Sequence, residues 1–263
     1  MTHRKLFKSL TRRGALSALG TLGVAGWVGS KSGFLRDVRA AGGSEVVAGA
    51  CTLTPELTIG PYFVDEGLNR SDVRGGTGSD TPFIADAVPL YLTIKATSAL
   101  TAGCPALAGV QIDIWHCHGG GLYSDEQQEG TLGQTWLRGY QITDANGIAS
   151  FTTIYPGWYP GRTIHIHVMA RYYDNNGNKT YEFTTQLYFD EASNDVVMAT
   201  YPYNTRGERT TRNQNDGLYD ASMLLDLQAA SDGSSYTGAI TLGLELEATA
   251  QADTVFKDGF EAA

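Results

Sequence analysis

The sequence predicts an all-β protein: an antiparallel β-sandwich core with long loops and an extended N-terminal arm. Three observations carry that prediction. Short runs of alternating apolar and polar residues recur from Pro89 onward. Clusters of Gly, Asn and Asp separate them, and no amphipathic helical segment longer than two turns stands out except Ala221–Ala230. Several short strands at close spacing, with turn signals between them, form the pattern of a sandwich. With 263 residues, 42% of them hydrophobic, the chain can fill one sizeable core.

Residues 1–40 have the layout of an export signal. Thr11-Arg12-Arg13 precedes an apolar stretch from Ala15 to Val28, and Val38-Arg39-Ala40 offers small residues at the cleavage spacing. The adjacent arginines suggest the twin-arginine type, which carries proteins across already folded. Residues 41–88, rich in Gly and Asp and containing Pro55, Pro61 and Pro82, show no sustained period and are expected to form an arm that wraps the core. The core is expected over 89–250 and a loosely attached tail over 251–263.

Within the core, Leu90, Leu92, Ile94 and Ala96 alternate with Tyr91, Thr93 and Lys95, and Val110, Ile112 and Ile114 alternate with Gln111, Asp113 and Trp115. Asp144-Ala145-Asn146-Gly147 separates Gly139–Thr143 from Ile148–Ile154, a strong hairpin signal. Thr163–Tyr173 and Tyr181–Phe189 flank the turn-rich Asp174–Asn178, and Ala239–Leu246 reads as a last strand. Residues 190–237 read as a long polar excursion with a few buried anchors.

Charge excludes some functions. Residues 1–40 concentrate basic side chains (Arg4, Lys5, Lys8, Arg12, Arg13, Lys31, Arg36, Arg39) against the single acid Asp37, so the remaining body is more acidic than the chain's net charge of −9. Such a body repels phosphate backbones, so no nucleic-acid partner is expected. No apolar run near 18 residues follows the N-terminus, so no membrane span is expected in the mature form. An oxidising compartment predicts one disulfide among Cys51, Cys104 and Cys117. The sequence alone does not choose the pair; Cys51–Cys104 is the expectation, because Cys117 falls in a buried strand.

The chemistry concentrates in Tyr155-Pro156-Gly157-Trp158-Tyr159-Pro160-Gly161-Arg162-Thr163-Ile164-His165-Ile166-His167. Residues two apart on a strand share a face, so His165 and His167 project together while Ile164, Ile166 and Val168 face an apolar layer. Two imidazoles about 6–7 Å apart along a strand can ligate one metal. Four of the five histidines fall into HxH pairs. In the second pair, His116 follows the Ile112/Ile114 face and is expected to meet the core. His118, at the strand end, is expected to face solvent or support a ligand. No carboxylate lies in the His165 turn-strand unit and no HExxH occurs, which argues against two-His-one-carboxylate iron(II) and zincin sites. Tyrosine surrounds the pair instead. A phenol ionises near pKa 10, so a tyrosinate at neutral pH needs a strong Lewis acid such as Fe(III).

Ile112-Asp113-Ile114-Trp115-His116-Cys117, Gly121-Leu122-Tyr123-Ser124, Thr143-Asp144 and Phe151-Thr152-Thr153-Ile154, leading into PGWY-x-GR-x-x-HIH, together resemble the intradiol ring-cleavage dioxygenases. The likeness is to their secreted single-chain branch, and the arm from Leu53-Thr54-Pro55 to Gly60-Pro61-Tyr62-Phe63 extends it. The resemblance implies a non-haem Fe(III) held by Tyr123, Tyr159, His165 and His167, with Tyr159 the phenol released when substrate arrives. It also implies Arg162 beside the substrate ring and Gln186 near the same site. The substrates would be a small aromatic diol and O2, and the product a cis,cis-muconate-type dicarboxylate. His118 stands where that branch usually shows an acid and Ile59 where it often shows Glu; both are expected at the entrance. Two alternatives stay open: a non-catalytic secreted β-sandwich that binds aromatic or carbohydrate ligands, and a zinc or copper enzyme built on both HxH pairs.

Overall fold

A computed structural model describes residues 51–248; the expected export signal over 1–40, the start of the arm and the expected tail over 251–263 lie outside the described residues. Among the described residues, eight strands form two sheets: β1 (Pro89–Ser98), β2 (Gln111–Trp115), β3 (Arg138–Ile142), β4 (Ile148–Ile154), β5 (His165–Tyr173), β6 (Lys179–Tyr188), β7 (Asp226–Ala229) and β8 (Tyr236–Leu244). One sheet has the order β4-β1-β8-β7, the other β3-β2-β5-β6. Leu90, Leu92, Ile94, Phe151 and Leu242 of the first sheet share one buried cluster with Ile112, Ile114, Ile166, Val168 and Leu187 of the second. The all-β sandwich is therefore as predicted, because period-2 alternation puts every second side chain of each strand into one apolar layer.

Three expectations are corrected. First, the β4-β1-β8-β7 sheet is not purely antiparallel, since β1 and β8 run parallel; the other sheet is antiparallel throughout. Second, the Asn146-Gly147 turn does not make a hairpin. Gly147 N–H donates to Asp144 O at 2.9 Å and Asp144 N–H to Ile148 O at 3.0 Å, but β3 then joins β2 while β4 joins β1. A tight turn dictates chain reversal only; the ladder each strand joins is set by the partner that covers its apolar face. The Asp174–Asn178 turn does join a hairpin pair, β5 and β6. Third, Ala221–Ala230 is not a helix. A single turn over Ala221–Met223, capped by Asp220, precedes the edge strand β7. The helices lie elsewhere: α1 (Pro82–Ala85) in the arm and α2 (Glu191–Met198), whose Asp190 cap accepts from Ser193 N–H. No helix among the described residues is long and apolar enough to cross a membrane.

The second sheet is covered on both faces, which leaves β5 buried almost throughout. Its outer face carries Trp115 and Met169, packed with Cys117 and Tyr123 and covered by Ile59, Tyr62, Phe63 and Tyr159. Residues 51–72 lie over this face and the sheet edges. Leu57 N–H donates to Thr184 O at 2.9 Å, and the hydroxyls of Thr184 and Thr185 return bonds to Leu57 O and Pro55 O. Farther along, the buried Arg171 bridges Asp113 at 2.6 Å and Asp65 of the arm at 2.5 Å. Removing Asp113, the buried partner, costs about 3–5 kcal/mol, whereas the half-exposed Asp65 contributes less. The arm is also tethered covalently, because Cys51 and Cys104 form a disulfide. Cys117 remains a buried thiol, which burial pushes up to about 12.

Candidate metal centre

The register of the second sheet lines up a row of side chains across four strands. Arg138 of β3 pairs with Trp115 of β2, Trp115 with His167 of β5, and His167 with Gln186 of β6. One step along, His165 pairs with Tyr188. Directly paired residues share a face, so these side chains stand together on the outer surface of the sheet, beneath the arm.

Four donor atoms converge there. His167 Nε2 lies 3.1 Å from His165 Nε2, and the hydroxyls of Tyr159 and Tyr123 lie 3.2 and 3.4 Å from the same nitrogen. Strand β5 supplies the imidazoles. Two loops supply the phenols, and they meet because Gly121 sits at φ +80°, where a Cβ would lie 2.0 Å from Trp158 O. Only glycine permits that approach.

The protonation pattern follows from the hydrogen bonds. His165 Nδ1 lies 2.6 Å from Thr163 O, which can only accept, so the proton sits on Nδ1 and Nε2 presents its lone pair to the centre. Burial holds His165 down to about 3 and His167 well below its ordinary value, so both are neutral. Burial likewise raises both phenols. Two neutral imidazoles and two phenols that shed protons only beside a cation form a donor set for a hard metal ion. Metal–imidazole bonds of about 2.0–2.1 Å put neighbouring donors about 2.9–3.4 Å apart, matching the separations here. The residues fit the ferric ion that the resemblance implies. Among the described residues, no three His, Cys, Asp or Glu side chains are grouped to hold an ion without the phenols.

The two phenols are held differently. Tyr123 is 1% exposed. Its backbone N–H donates to Glu129, its carbonyl accepts from Thr131 Oγ1 at 2.6 Å, and Tyr62 stacks on its ring at 4.3 Å. The buried Arg138 fixes the next residue, donating to Ser124 O, Ser124 Oγ and Tyr62 O. Tyr159 is only partly buried, on a loop between Pro156 and Pro160.

Arg162 donates through Nε to Asp216 Oδ2 at 2.9 Å and through Nη2 to Gln186 Oε1. Gln186 is fully buried and donates to Thr58 O of the arm, so it holds the arginine rather than facing solvent. Asp216 is a residue that motif reading missed. It arrives from the long excursion, and no spacing distinguishes it from the other acids there. Arg138 was missed too; as a lone strand arginine it carries no motif.

The second HxH pair does not join the centre. His116 turns into the core as expected, with Nε2 2.7 Å from Thr153 Oγ1 and Nδ1 2.9 Å from Cys117 O. His118 departs from expectation. It neither faces solvent nor lines an entrance, but is buried between the rings of Phe83 and Trp136, with Nδ1 accepting from Gly120 N–H. Aromatic stacking on both faces of the imidazole explains that placement. A site built on both HxH pairs is therefore excluded. Ile59 does pack beside Tyr159 and Tyr123.

Comparison with known proteins agrees with this geometry. The family described as Dioxygenase matches residues 60–214, more than half of the chain. The chain belongs to the intradiol ring-cleavage dioxygenases. An intradiol ring-cleavage dioxygenase from Tetranychus urticae is 28% identical to this dioxygenase, with a TM-score of 0.62, covering 75% of this chain and 97% of that one. The dioxygenase domain of a dioxygenase–carbohydrate-binding protein fusion from Streptomyces sp. SirexAA-E is 32% identical, TM-score 0.54, over 74% of this chain and all (100%) of that one. Hydroxyquinol 1,2-dioxygenase from Pseudomonas putida DLL-E4, at 16% identity and TM-score 0.51 over 75% and 68% of the two chains, shares the fold. A comparison with curated proteins gave no match. The dioxygenase is thus an enzyme of catechol-type ring cleavage, and a non-catalytic sandwich is not favoured.

Proposed function

We propose that the enzyme binds Fe(III) through Tyr123, Tyr159, His165 and His167 and cleaves catechol-type diols with O2 between the two hydroxyl-bearing carbons, giving cis,cis-muconate-type dicarboxylates. The observation that carries this reading is the meeting of the neutral His165 imidazole with a second imidazole and two phenols, all three within 3.1–3.4 Å of His165 Nε2. When bound, ferric iron supplies the Lewis acidity that keeps phenolates ionised and draws charge from a bound diol, so that its ring becomes reactive toward O2.

The chain's own residues divide the remaining work. Tyr123, clamped on every side, stays in place. Tyr159, partly exposed on its loop, is free to swing away, and its Oη accepts a proton from the incoming diol. Proton uptake there needs no additional base. Arg162 lies beside His165, at 16% side-chain exposure, where the positive end of its ion pair with Asp216 faces negative charge developing on the ring. Gln186 and Asp216 aim that charge. We infer further that the protein is exported; the basic, twin-arginine head and the Cys51–Cys104 disulfide support that inference.

The test is incubation of protein purified without chelator with catechol under isotopically labelled O2, alongside iron analysis. One iron per chain, reddish charge-transfer absorption and both labelled atoms in a muconate product are expected. Incorporation of one atom or none, or zinc in place of iron, overturns the reading.

A further inference from the structure

We propose that Asp216 determines specificity: by neutralising and aiming the Arg162 guanidinium, it makes the site select diols whose ring carries no carboxylate. This rests on the ring-cleavage reading for the substrate being a diol, and adds a charge requirement to it.

Asp216 is built in as a fixed anion. Its side chain is 2% exposed. Oδ2 accepts from Arg162 Nε and from Thr163 N–H, both at 2.9 Å, and Oδ1 accepts from Leu218 N–H at 2.9 Å. Although burial works to raise it, these donors and the Arg162 charge hold the carboxyl below its ordinary range. The segment carrying it is braced. Asn213 accepts from Thr163 Oγ1 at 2.6 Å and donates its backbone N–H to Glu191 at 2.6 Å. Glu191 and Asp195 of α2 in turn hold Arg209 and Arg212. The excursion thus returns one carboxylate to the centre and pins it there.

The consequence is electrostatic. Arg162 and Arg138 are two arginines whose charge reaches the His167 ring. Arg138 is spent on Tyr62 O, Ser124 O and Ser124 Oγ and lies 3.9 Å from Glu126. Arg162 is matched by Asp216. A ring carboxylate entering beside Arg162 therefore meets a net-neutral pair, loses its hydration and gains no surplus charge from that guanidinium in return. An uncharged diol suffers no such cost. Gln186 holds the second edge of the guanidinium without changing its charge, so the charge setting belongs to Asp216.

The experiment is anaerobic calorimetric binding of catechol and of protocatechuate, a carboxylated diol, to the iron-loaded wild type, Asp216→Asn, Asp216→Ser and Asp216→Glu. Steady-state turnover of both diols is measured in parallel. Wild type should favour catechol. Asp216→Asn and Asp216→Ser should shift the affinity ratio toward protocatechuate by about ten- to a hundredfold, the size expected for one charge about 6–12 Å from the ring carboxylate at an effective dielectric of about 20. Turnover of catechol should slow in both as Arg162 loses its aim. Asp216→Glu keeps the charge and should keep the wild-type ratio, which mere loss of packing would not predict. If Asp216→Asn does not fold, the smaller serine, which admits water, carries the same test. A ratio unchanged in the neutral variants, or wild type binding both diols equally, overturns the proposal. Because binding requires no cleavage, a protein that binds diols without opening them refutes the ring-cleavage reading while the ratio still judges Asp216.

Discussion

Replacing Gly60 with alanine tests whether the arm positions a metal ligand. Gly60 sits at φ +72°, and a Cβ there would lie 3.0 Å from His167 Cε1. Carbon atoms rest about 3.5–4.0 Å apart, so the ring or the arm must shift by at least about 0.5 Å. The ring has no slack, since His167 is 1% exposed and Trp115 stacks on it at 4.9 Å with planes 9° apart. The left-handed backbone adds about 1–2 kcal/mol for alanine. Gly67 provides the control, because it lies on the same arm at φ +59° with nothing within 4 Å of its Cβ. Gly67→Ala should therefore lower Tm by about 2–8 °C, the backbone cost converted for a protein of this size, and leave iron affinity intact. Gly60→Ala should lower Tm further and weaken iron binding about 10–100-fold, the loss seen when ligand support is disturbed. Iron titration of the apoprotein and thermal melts read both quantities. Equal iron affinity in the two variants would refute the claim that the arm holds His167 in place.

Other perturbations separate the remaining roles. Tyr123→Phe should bleach or strongly shift the visible absorption of the iron-loaded protein; an unchanged spectrum removes that phenol from the centre. His116, outside the centre, is held by burial down to about 4 from 6.5. Below pH about 6.5 the unfolded chain gains a proton that the folded chain refuses, so stability falls as pH drops toward about 4, by up to about 1.4 kcal/mol per pH unit. His116→Gln should flatten that acid limb in melts taken across the range, and an identical slope would reject the assignment. Cys104→Ser opens a loop closed over a separation of 53 residues. The chain-entropy cost is about 4 kcal/mol, equivalent to about 8–16 °C in Tm, and a melt shifted by under a degree or two would show the tether to be idle.

Much of this site is written in local pattern. The alternation of Ile164, Ile166 and Val168 with His165 and His167 dictates which face each occupies, because a strand has no other way to separate an apolar layer from a polar one. Ile148–Ile154 is a strand with the bounds its composition predicts. Less legible is anything decided by pairing at a distance. Asn146-Gly147 announces a reversal but is silent about which sheet each flanking strand joins. His118 follows a strand like any exposed histidine, and only Phe83 and Trp136, brought from remote segments, make it an internal ring. α2 is polar and short, so its existence rests on the Asp190 cap and on packing of Val197 and Met198. Asp216 is one acid among many in a polar stretch until the fold sets it against Arg162.

The parallel pairing of β1 with β8 has a consequence for synthesis. The first strand of the sandwich is flanked by β4 on one side and by the final strand on the other, so its second edge stays open until the C-terminal end of the core has been made. Closing that sheet joins the two sequence extremes of the fold, a contact of high order that slows folding. A nascent chain leaving the ribosome would expose the bare edge of β1 for most of translation, inviting aggregation. Under the folded export proposed above, the last strand is the natural checkpoint: a chain truncated before Tyr236 should not mature.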